Sequence, residues 1–451
     1  MQGIKMQGLS PADISAYKEA FGANPVWKAS ALNFSHAPLS DMAFDAVAAG
    51  GLHPSFSIEL KTLPVTNQKS SGRCWLFAGL NLLREKPAKK LNLENFELSQ
   101  NYVAFYDKLE KANYMLESII ATADRDVDDR TVCWILSTGL QDGGQWDMFV
   151  NLIKKYGVVP KYAMTETHQS SNTGYMNDIA NMLLREYAHK LRNMFAAGAA
   201  PEALRETKKA MMGEFYAYLV MCFGRPPERF DFEYTDKDGK YGADRGMTPL
   251  SFYESYVGVN LDEYVSLINA PTADKPMDRS YTVKFLGNVA DGRDILYINI
   301  EMDKFIDFIL KQLKDDEPVW FGSDVTGKYG ERKSGIWDTN CFDYESALGI
   351  PFGMDKQMQL DYRDSCMTHA MLITGANVVD GKPNRWKIEN SWGDENGVKG
   401  YYIGGAGWFD RYVYQAVVNK KYLDEATLAA MAMKPIELNP WDPMGSLASN
   451  K

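Results

Sequence analysis

The chain has 451 residues, of which 45% are hydrophobic, 24% charged and 12% aromatic, and its formal net charge is −10. This composition is that of a globular protein, long enough for two or three domains or for one core with a large insertion. A net negative charge argues against a surface built to neutralise phosphates, so nucleic acid is not expected as a partner.

The N-terminal part of the sequence predicts one short helix and, further on, a buried one. Ser10 to Asp13 combine an N-cap serine, a proline and an acidic first turn, which predicts a helix start. Residues 22–60 show no clear period and predict a loop-like lead-in. The stretch from Cys74 to Leu83 is apolar on nearly every face, which predicts a buried helix that ends near Pro87.

The middle of the chain is rich in helical signals. Over residues 95–225, apolar residues recur at three- and four-residue spacing. Glycines stand where helix ends are expected, at Gly157, Gly198 and Gly224. Residues 230–245 alternate around a Lys-Asp-Gly turn and predict a β-hairpin. Residues 306–325 then predict a helix followed by a buried strand.

The final third changes to the period of β-strands. Residues 369–392 alternate, break at Asp380-Gly381 and alternate again, which predicts two antiparallel strands. Glycine-punctuated segments continue this pattern afterwards. The predicted fold class is therefore α+β, with helices in the front and middle of the chain and an antiparallel sheet at the back.

The cysteines and the N-terminal sequence indicate the cellular compartment of the protein. None of the five cysteines forms a Cys-x-x-Cys pair; they are Cys74, Cys133, Cys222, Cys341 and Cys366. This spacing argues against a zinc site or a thioredoxin-like centre, and it suits a reducing compartment. The start of the chain lacks the apolar stretch of a signal peptide, and the longest conspicuous apolar run is too short to span a bilayer. The sequence predicts a cytoplasmic protein with no membrane partner.

Cys74 stands between a Gly-Arg turn and the buried helix, a setting typical of a catalytic cysteine. Because the thiolate is the nucleophile, its pKa is expected to lie well below the ordinary ~8.5, through helix-start dipoles and a neighbouring imidazolium. Gly72 is expected to permit the tight turn before it. A lone cysteine is more often an inert buried residue, and at this point that interpretation stays open.

His369 is the candidate acid–base partner because it opens a buried-looking strand. The other histidines fall in loop-like stretches or on a charged helix face; they are His36, His53, His168 and His189. Asn390 ends the paired strand, where its amide oxygen can orient the imidazole while Trp392 screens that bond from water. The alternative is an ordinary turn asparagine. Gln68, with the backbone N–H of Cys74, is the candidate oxyanion site.

Several segments resemble one known family. They include VTNQKSSGRCWLFAGLNLLR, MTHAMLITGAN and RWKIENSWGDENGVKGYY, together with DGGQWDMFVNLIKKYGVVPK and NPWDPMGSLA. These segments resemble the bleomycin hydrolase and aminopeptidase C family of papain-like cysteine peptidases, over most of the chain from about residue 60 onward. The papain-type signature C-G-[SA]-C-[WY] is only partly kept, since Ser71 replaces its first cysteine and Arg73 its small residue.

The resemblance implies a role for each candidate residue. Cys74 is the implied nucleophile, His369 the acid and base, Asn390 the residue that orients the imidazole, and Gln68 the oxyanion donor. The implied chemistry is acyl transfer through a thioester, which needs no metal or organic cofactor. The implied substrates are short peptides with a free N-terminus, and the implied assembly is a homohexamer.

The resemblance also implies a division of the chain. The interval between Cys74 and His369 is far longer than the ~130–150 residues of secreted papain-like enzymes, which implies an insertion. The implied parts are an N-terminal helix with an extended lead-in (1–60), the helical half of a papain-like core (61–100), a large mainly helical insertion (101–315), the β half of the core (316–433) and a C-terminal arm (434–451).

The C-terminal tail bears on whether the protein is an aminopeptidase or an endopeptidase. In the family that this chain resembles, the C-terminal arm lies in the active-site cleft, and its carboxylate meets the amino group of the substrate. Trp441, Met444 and Leu447 predict that the arm is docked here as well. Ser449-Asn450-Lys451 extend beyond the point where many relatives end, so an endopeptidase with the same chemistry remains an alternative. An inactive scaffold is a further alternative, disfavoured because all four candidate residues are present.

Overall fold

The computed structural model describes residues 5–446 of the chain. Within this range the helices are α1 (Pro11–Ala23), α2 (Pro25–Phe34), α3 (Leu39–Ala43), α4 (Ala46–Gly50), α5 (Cys74–Lys90), α6 (Gln100–Ala121), α7 (Arg130–Thr138), α8 (Trp146–Tyr156), α9 (His168–Ser171), α10 (Gly174–Ala196), α11 (Pro201–Phe223), α12 (Pro249–Phe252), α13 (Met302–Lys314), α14 (Tyr344–Leu348), α15 (Lys356–Asp361), α16 (Ala406–Tyr412) and α17 (Glu425–Ala432). Between residues 5 and 446, no helix is both long and apolar enough to cross a membrane.

The same range contains two sheets. Their strands are β1 (Ile58–Glu59), β2 (Phe230–Thr235), β3 (Tyr241–Met247), β4 (Tyr264–Ile268), β5 (Arg279–Val283), β6 (Tyr297–Asn299), β7 (Val319–Ser323), β8 (Gly330–Glu331), β9 (Ile336–Trp337), β10 (His369–Val379), β11 (Lys382–Glu389), β12 (Tyr401–Gly405), β13 (Val413–Asn419) and β14 (Ile436–Leu438). Strands β2 and β3 form the predicted hairpin. The others form one sheet in the order β14-β5-β6-β4-β13-β7-β10-β11-β12-β9-β8, with β1 also paired to β10.

The N-terminal part of the chain is more helical than its sequence suggests. Helix α1 begins where predicted, and Ser10 and Asp13 cap it reciprocally, with each side chain accepting from the other's backbone N–H. The prediction of an extended, loop-like lead-in over residues 22–60 is wrong, because α2, α3 and α4 lie within it. These helices are short and mostly exposed. They therefore lack the repeated apolar residues at three- and four-residue spacing that predict a helix from sequence.

Helix α5 is the central helix of the molecule. Every residue from Cys74 to Arg84 is buried, as expected for a helix that is apolar nearly all round. The helix does not end near Pro87 but continues to Lys90, with the proline inside its last turn. One face of α5 packs against β10, and the rest lies among α6, α8 and the neighbouring loops. The first residue of this buried helix is therefore held against the sheet.

A layer of long helices, α6, α8, α10 and α11, covers this side of the sheet, as the helical signals over residues 95–225 predict. Gly157 and Gly224 have φ values of 69° and 86° and follow directly after α8 and α11. On the other side of the sheet, α13 and α16 pack in a second core. The sheet thus lies between two layers of helices.

The implied helical insertion does not stay helical to its end. Residues 101–229 are mainly helical, but β4, β5 and β6 all lie before residue 315 and join the large sheet. Strand β13 bridges the two parts, since it pairs antiparallel with β4 on one side and with β7 on the other. The description of residues 101–315 as a mainly helical insertion is therefore wrong for its second half. These strands are short and are stabilised by partners that are distant in sequence.

Candidate active site

The nucleophile candidate lies at the start of a helix, as its sequence setting predicts. Cys74 is the first residue of α5 and is only 1% exposed. In the approach to it, Lys69 takes the left-handed backbone conformation, with a φ of 55°, and the Asn67 side chain accepts its backbone N–H at 2.9 Å. Lys69 therefore contributes a left-handed residue to this turn, and the expectation that Gly72 permits the turn stays a prediction.

The sulfur of Cys74 faces the first residues of β10. The backbone N–H of Ala370 donates to Sγ at 3.4 Å, and Ala370 directly follows His369. Strand β10 is fixed at this level by its pairing with β7, where His369 lies opposite Ser323 and Ala370 opposite Gly322. Helix start and strand start therefore meet, although they are distant in the sequence.

The imidazole of His369 is held by a buried amide. Its Nε2 lies 2.8 Å from Oδ1 of Asn390, and both residues are buried. Because the amide oxygen can only accept, this ring nitrogen carries a proton, and Nδ1 is the ring nitrogen left to exchange a proton with the thiol. The four other histidines are exposed on the surface. The structure brings His369 and Asn390 together as the sequence predicts.

An aromatic ring covers the imidazole. The ring centroids of Trp392 and His369 are 4.8 Å apart, with 31° between the ring planes. The guanidinium of Arg332 lies 4.7 Å from the Trp392 ring centroid and supports the indole. Trp392 thus lies where the sequence predicts, as a screen beside the His369–Asn390 hydrogen bond.

Gln68 lies on the same side of the site and its amide orientation is fixed. One N–H of its Nε2 donates to the carbonyl of Ser71 at 2.5 Å, and the hydroxyl of Ser391 donates to its Oε1 at 2.6 Å. Since the Ser71 carbonyl can only accept, the atom facing it is the nitrogen. Among residues 5–446, no acceptor takes the second N–H of Nε2. The neighbour of Asn390 therefore orients the candidate oxyanion donor.

Burial controls the protonation of both reactive groups. Burial raises the pKa of the Cys74 thiol to about 12, against the lowering effect of the Ala370 and Trp75 backbone N–H groups. Burial also lowers the pKa of His369 to about 4, although the Asn390 hydrogen bond acts in the opposite direction. The expectation that the Cys74 pKa lies well below its ordinary value is wrong for this closed site, because desolvation outweighs the helix start.

Burial therefore favours the neutral thiol of Cys74 and the neutral imidazole of His369. Moving the proton from Sγ to Nδ1 creates two opposite charges at once, and each charge then stabilises the other in a medium of low dielectric constant. Such a pair supplies a nucleophile and an acid in one step. The arrangement suits attack on a carbonyl carbon.

The residue before the nucleophile belongs to a buried ion pair that the sequence does not reveal. Arg73 is 1% exposed, and its Nη2 lies 2.9 Å from Oε2 of Glu166. Its Nε also donates to the hydroxyl of Ser71 at 3.0 Å. This contact explains why a large residue is tolerated where papain-type signatures have a small one. A buried arginine signals the need for a carboxylate, but no local pattern identifies Glu166 as its source.

Asp142 is a second residue that sequence reasoning missed. Its carboxylate accepts the backbone N–H of Gly72 at 2.7 Å, and its carbonyl accepts the indole N–H of Trp75 at 2.7 Å. The segment Asp-Gly-Gly-Gln in front of α8 belongs to the stretches that carry the family resemblance. Nothing in it predicts contact with residues 69–73, the nucleophile turn that leads into Cys74.

The C-terminal arm reaches this region. Strand β14 pairs in parallel with β5, and Met444 is buried further along. At the end of the described chain, the carbonyl of Ser446 accepts from Nε2 of Gln145 at 3.0 Å, and its hydroxyl donates to the carbonyl of Met367 at 2.9 Å. Leu447 and the Ser449-Asn450-Lys451 extension lie outside the described residues.

A model of the Peptidase C1-like family matches residues 8–445. The chain belongs to this family. Among curated proteins, it is 51% identical to Aminopeptidase C of Streptococcus thermophilus over 87% of this chain and 88% of that protein. It is also 44% identical to Bleomycin hydrolase of Gallus gallus, over 85% of this chain and 86% of that protein. The resemblance inferred from the motifs is thus confirmed.

A solved structure supports the same assignment. The crystal structure of PepW from Lactobacillus rhamnosis is 45% identical in sequence, with a TM-score of 0.96 over 98% of this chain and 99% of that one. The predicted class, an α+β fold of the papain-like type, is therefore confirmed by both the family model and this structure.

Proposed function

We propose that this protein is a cysteine aminopeptidase that removes N-terminal residues from short peptides. The observation that carries the proposal is the meeting of the Cys74 sulfur with the start of β10, where His369 is held by Asn390. Relatives named Aminopeptidase C, such as that of Listeria monocytogenes at 49% identity, support the peptide substrate and the exopeptidase mode.

In the proposed reaction, Cys74 gives its proton to Nδ1 of His369, and the sulfur attacks the scissile carbonyl carbon. The carbonyl oxygen becomes an anion that accepts from the free N–H of Gln68 and from the Cys74 backbone N–H. The C–N bond then breaks as the imidazolium protonates the leaving amine, which produces a thioester. A water molecule, deprotonated by the imidazole, attacks the thioester and returns the thiol.

The arm supports the exopeptidase mode. It is fastened by a buried ion pair between Lys275 and Asp442, 2.9 Å apart, and by the stacking of Arg130 on Trp441, 3.8 Å from the ring centroid. Beyond these contacts, Ser446 touches both the loop before α8 and the segment before β10. A chain fastened in this way occupies space that the N-terminal side of a longer substrate needs, so only a short N-terminal overhang fits.

Paired fluorogenic substrates test the proposal. One is an aminoacyl amide with a free amino group, and the other is its N-acetylated form. We expect efficient cleavage of the free amine, little cleavage of the acetylated form, and no turnover of either by Cys74→Ala. Equal cleavage of both would contradict the aminopeptidase and support an endopeptidase. Turnover by the Cys74→Ala variant would contradict the nucleophile assignment.

We also propose that the protein assembles with itself, as a homohexamer in line with the family resemblance. Helix α1 has no buried residue, and one face of it presents three large apolar side chains, Ile14, Tyr17 and Phe21, that are 40%, 56% and 45% exposed. An apolar helix face that residues 5–446 leave about half exposed suits burial against another copy.

Native mass measurement tests the assembly. We expect six times the chain mass for the wild type and smaller species for Phe21→Glu. The control is Tyr175→Glu, which introduces the same charge at a 77% exposed aromatic residue on α10 and should leave the mass unchanged. A monomeric wild type would contradict self-association.

We further propose a cytoplasmic location. Its support is the sparse, scattered set of cysteines, of which Cys74 and Cys341 are buried thiols. Cell fractionation with an antibody against the chain tests this, and recovery in the extracellular or membrane fraction would contradict it.

A further inference from the structure

Asp142 is the meeting point of several elements around the nucleophile turn. It is 8% exposed and lies in the loop between α7 and α8. Its carboxylate accepts from the ammonium of Lys108 on α6 at 2.5 Å, from the hydroxyl of Thr173, and from the side-chain amide of Asn177 on α10 at 2.8 Å. A fourth donor is the backbone N–H of Gly72.

These contacts hold both sides of Cys74. The Gly72 N–H, two residues before the nucleophile, binds the Asp142 carboxylate at 2.7 Å. The Trp75 indole, one residue after the nucleophile, binds the Asp142 carbonyl at 2.7 Å. One residue therefore fixes the backbone before the sulfur and the side chain after it. A reacting atom that must lie within a few tenths of an ångström of its productive position depends on such support.

The same carboxylate presents an electrostatic problem. A buried anion close to Cys74 opposes formation of the thiolate, and Asp142 contributes to raising the pKa of Cys74. Lys108 counters this effect. Its side chain is 1% exposed, its ammonium touches the carboxylate, and it holds the pKa of Asp142 well below the ordinary range although burial acts in the opposite direction.

The other charged groups of this region have partners of their own. Lys111 pairs with Asp107 on α6 at 2.6 Å, and its ammonium also binds the carbonyl of Gly143. Arg73 pairs with Glu166, as described above. On the sheet side of Cys74, the titratable group that β10 contributes is His369. The ion pair of Lys108 with Asp142 thus connects the backbone of the nucleophile turn to helix α6.

We propose that Lys108 and Asp142 act together as positioning residues for Cys74. The Asp142 carboxylate fixes the turn that carries the sulfur, and the Lys108 ammonium cancels the charge of that carboxylate so that it does not oppose the thiolate. The inference rests on the proposed function, in which Cys74 is the nucleophile. It extends that function to two residues that touch neither the substrate nor the reacting atoms.

The test measures the rate of Cys74 alkylation by iodoacetamide from about pH 7 to about pH 10, read by mass spectrometry of the Cys74 peptide. This range lies below the midpoint of thiol ionisation, so the logarithm of the rate rises linearly with pH, and the displacement of that line along the pH axis gives the shift of the midpoint. Lys108→Met leaves the anion uncompensated, so the midpoint should rise by about one pH unit. Asp142→Asn leaves the cation uncompensated, so the midpoint should fall by a similar amount. The double variant carries neither charge, and its midpoint should return to within a few tenths of a unit of the wild-type value.

Two further variants separate positioning from folding. Lys208→Met also removes a lysine paired with a carboxylate of α6, Glu117, away from the turn, and its midpoint should stay unchanged. Asp142→Ala removes the acceptor of the Gly72 N–H, and kcat should fall at least about tenfold, whereas Asp142→Asn keeps an acceptor and should recover most of it.

Each outcome is informative, and alkylation needs no peptide turnover. Midpoints that move in the same direction in Lys108→Met and Asp142→Asn would overturn the charge compensation, as would unchanged midpoints in both. An equal loss of kcat in Asp142→Ala and Asp142→Asn would overturn the positioning role. If peptide hydrolysis fails in the wild type while the midpoints shift as expected, the proposed function fails and the inference about the thiol stands.

Discussion

At the scale of single residues, this site depends on buried polar atoms that fix one another. Asn390 orients His369, and Ser391, the next residue, orients Gln68. The chain thus places two supporting groups side by side at the end of β11. Because the imidazole is buried, the loss of its amide partner removes a hydrogen bond that becomes charge-assisted once the ring takes the thiol proton, and such a bond is worth about 1.5–3 kcal/mol.

The Asn390→Ala variant tests this at the residue scale. We expect kcat/KM to fall about 10- to 100-fold, which corresponds to the loss of one such hydrogen bond. The Asn390 bond raises the pKa of His369, so its removal lowers that pKa. The acid limb of the kcat/KM profile, where the imidazolium loses its proton and becomes able to accept the thiol proton, should therefore move to lower pH. Asn384→Ala, on the exposed part of β11, is the control. An acid limb that stays in place would contradict the role of Asn390.

At the scale of elements, the position of the nucleophile depends on how closely α5 approaches its neighbours. A Cβ added at Gly79 would lie 2.7 Å from the ring of Phe149 on α8, and one added at Gly144 would lie 2.4 Å from the indole of Trp75. Both contacts are shorter than carbon atoms tolerate. Glycine at these two positions therefore permits the tight packing of α5 against α8 and its preceding loop.

The Gly79→Ala variant tests this packing. Although alanine favours a helix over glycine, the clash with Phe149 should dominate and destabilise the protein by about 1–3 kcal/mol. Gly213→Ala is the matched control, since it lies in helix α11 with no atom within 4 Å of the added Cβ. There the same change should stabilise by about 0.5–1 kcal/mol. Thermal unfolding measures both stability changes. An equal rise of Tm in the two variants would show that α5 and α8 can accommodate the added methyl group.

At the scale of the whole molecule, the candidate site lies where the helical layer meets the sheet. The helical layer supplies Cys74 through α5, and the sheet supplies His369 through β10, so neither part contains the site alone. The C-terminal arm ties the two together. It begins as an extra strand on β5, passes the Lys275–Asp442 ion pair and ends, within the described residues, at Ser446 beside both walls.

The Asp442→Ala variant tests the arm. It removes the partially buried carboxylate that fastens the arm to Lys275, a change that costs about 3–5 kcal/mol when a buried pair is broken. We expect the ratio of N-acetylated to free-amine cleavage to rise at least about tenfold, because a loosened arm no longer blocks longer substrates. Asp274→Asn alters the exposed carboxylate on the same lysine and should leave the ratio unchanged. If the cleavage ratio stays unchanged in both variants, the arm does not determine substrate specificity.

Prediction from sequence succeeded where the signal is local. The start of α5 at Cys74, the helical layer, the hairpin and the antiparallel pair β10–β11 all follow from apolar period and turn residues. Prediction failed for the short helices before residue 50 and for β4 to β6, which depend on partners elsewhere in the chain. Residue type and setting predict the four candidate site residues, and in the structure hydrogen bonds connect them or their direct neighbours in sequence.

The sequence by itself determined the helix that begins at Cys74 and the strand that begins at His369, and it also determined the family to which the chain belongs. This was possible because apolar periodicity, turn residues and motifs are properties of short sequence segments. Only the tertiary structure decided that burial favours the neutral thiol and the neutral imidazole, that Arg73 is paired with Glu166, and that Asp142 and Lys108 contact the nucleophile turn or each other. The physical reason is that desolvation and ion pairing depend on which distant segments meet, and no local pattern records that meeting.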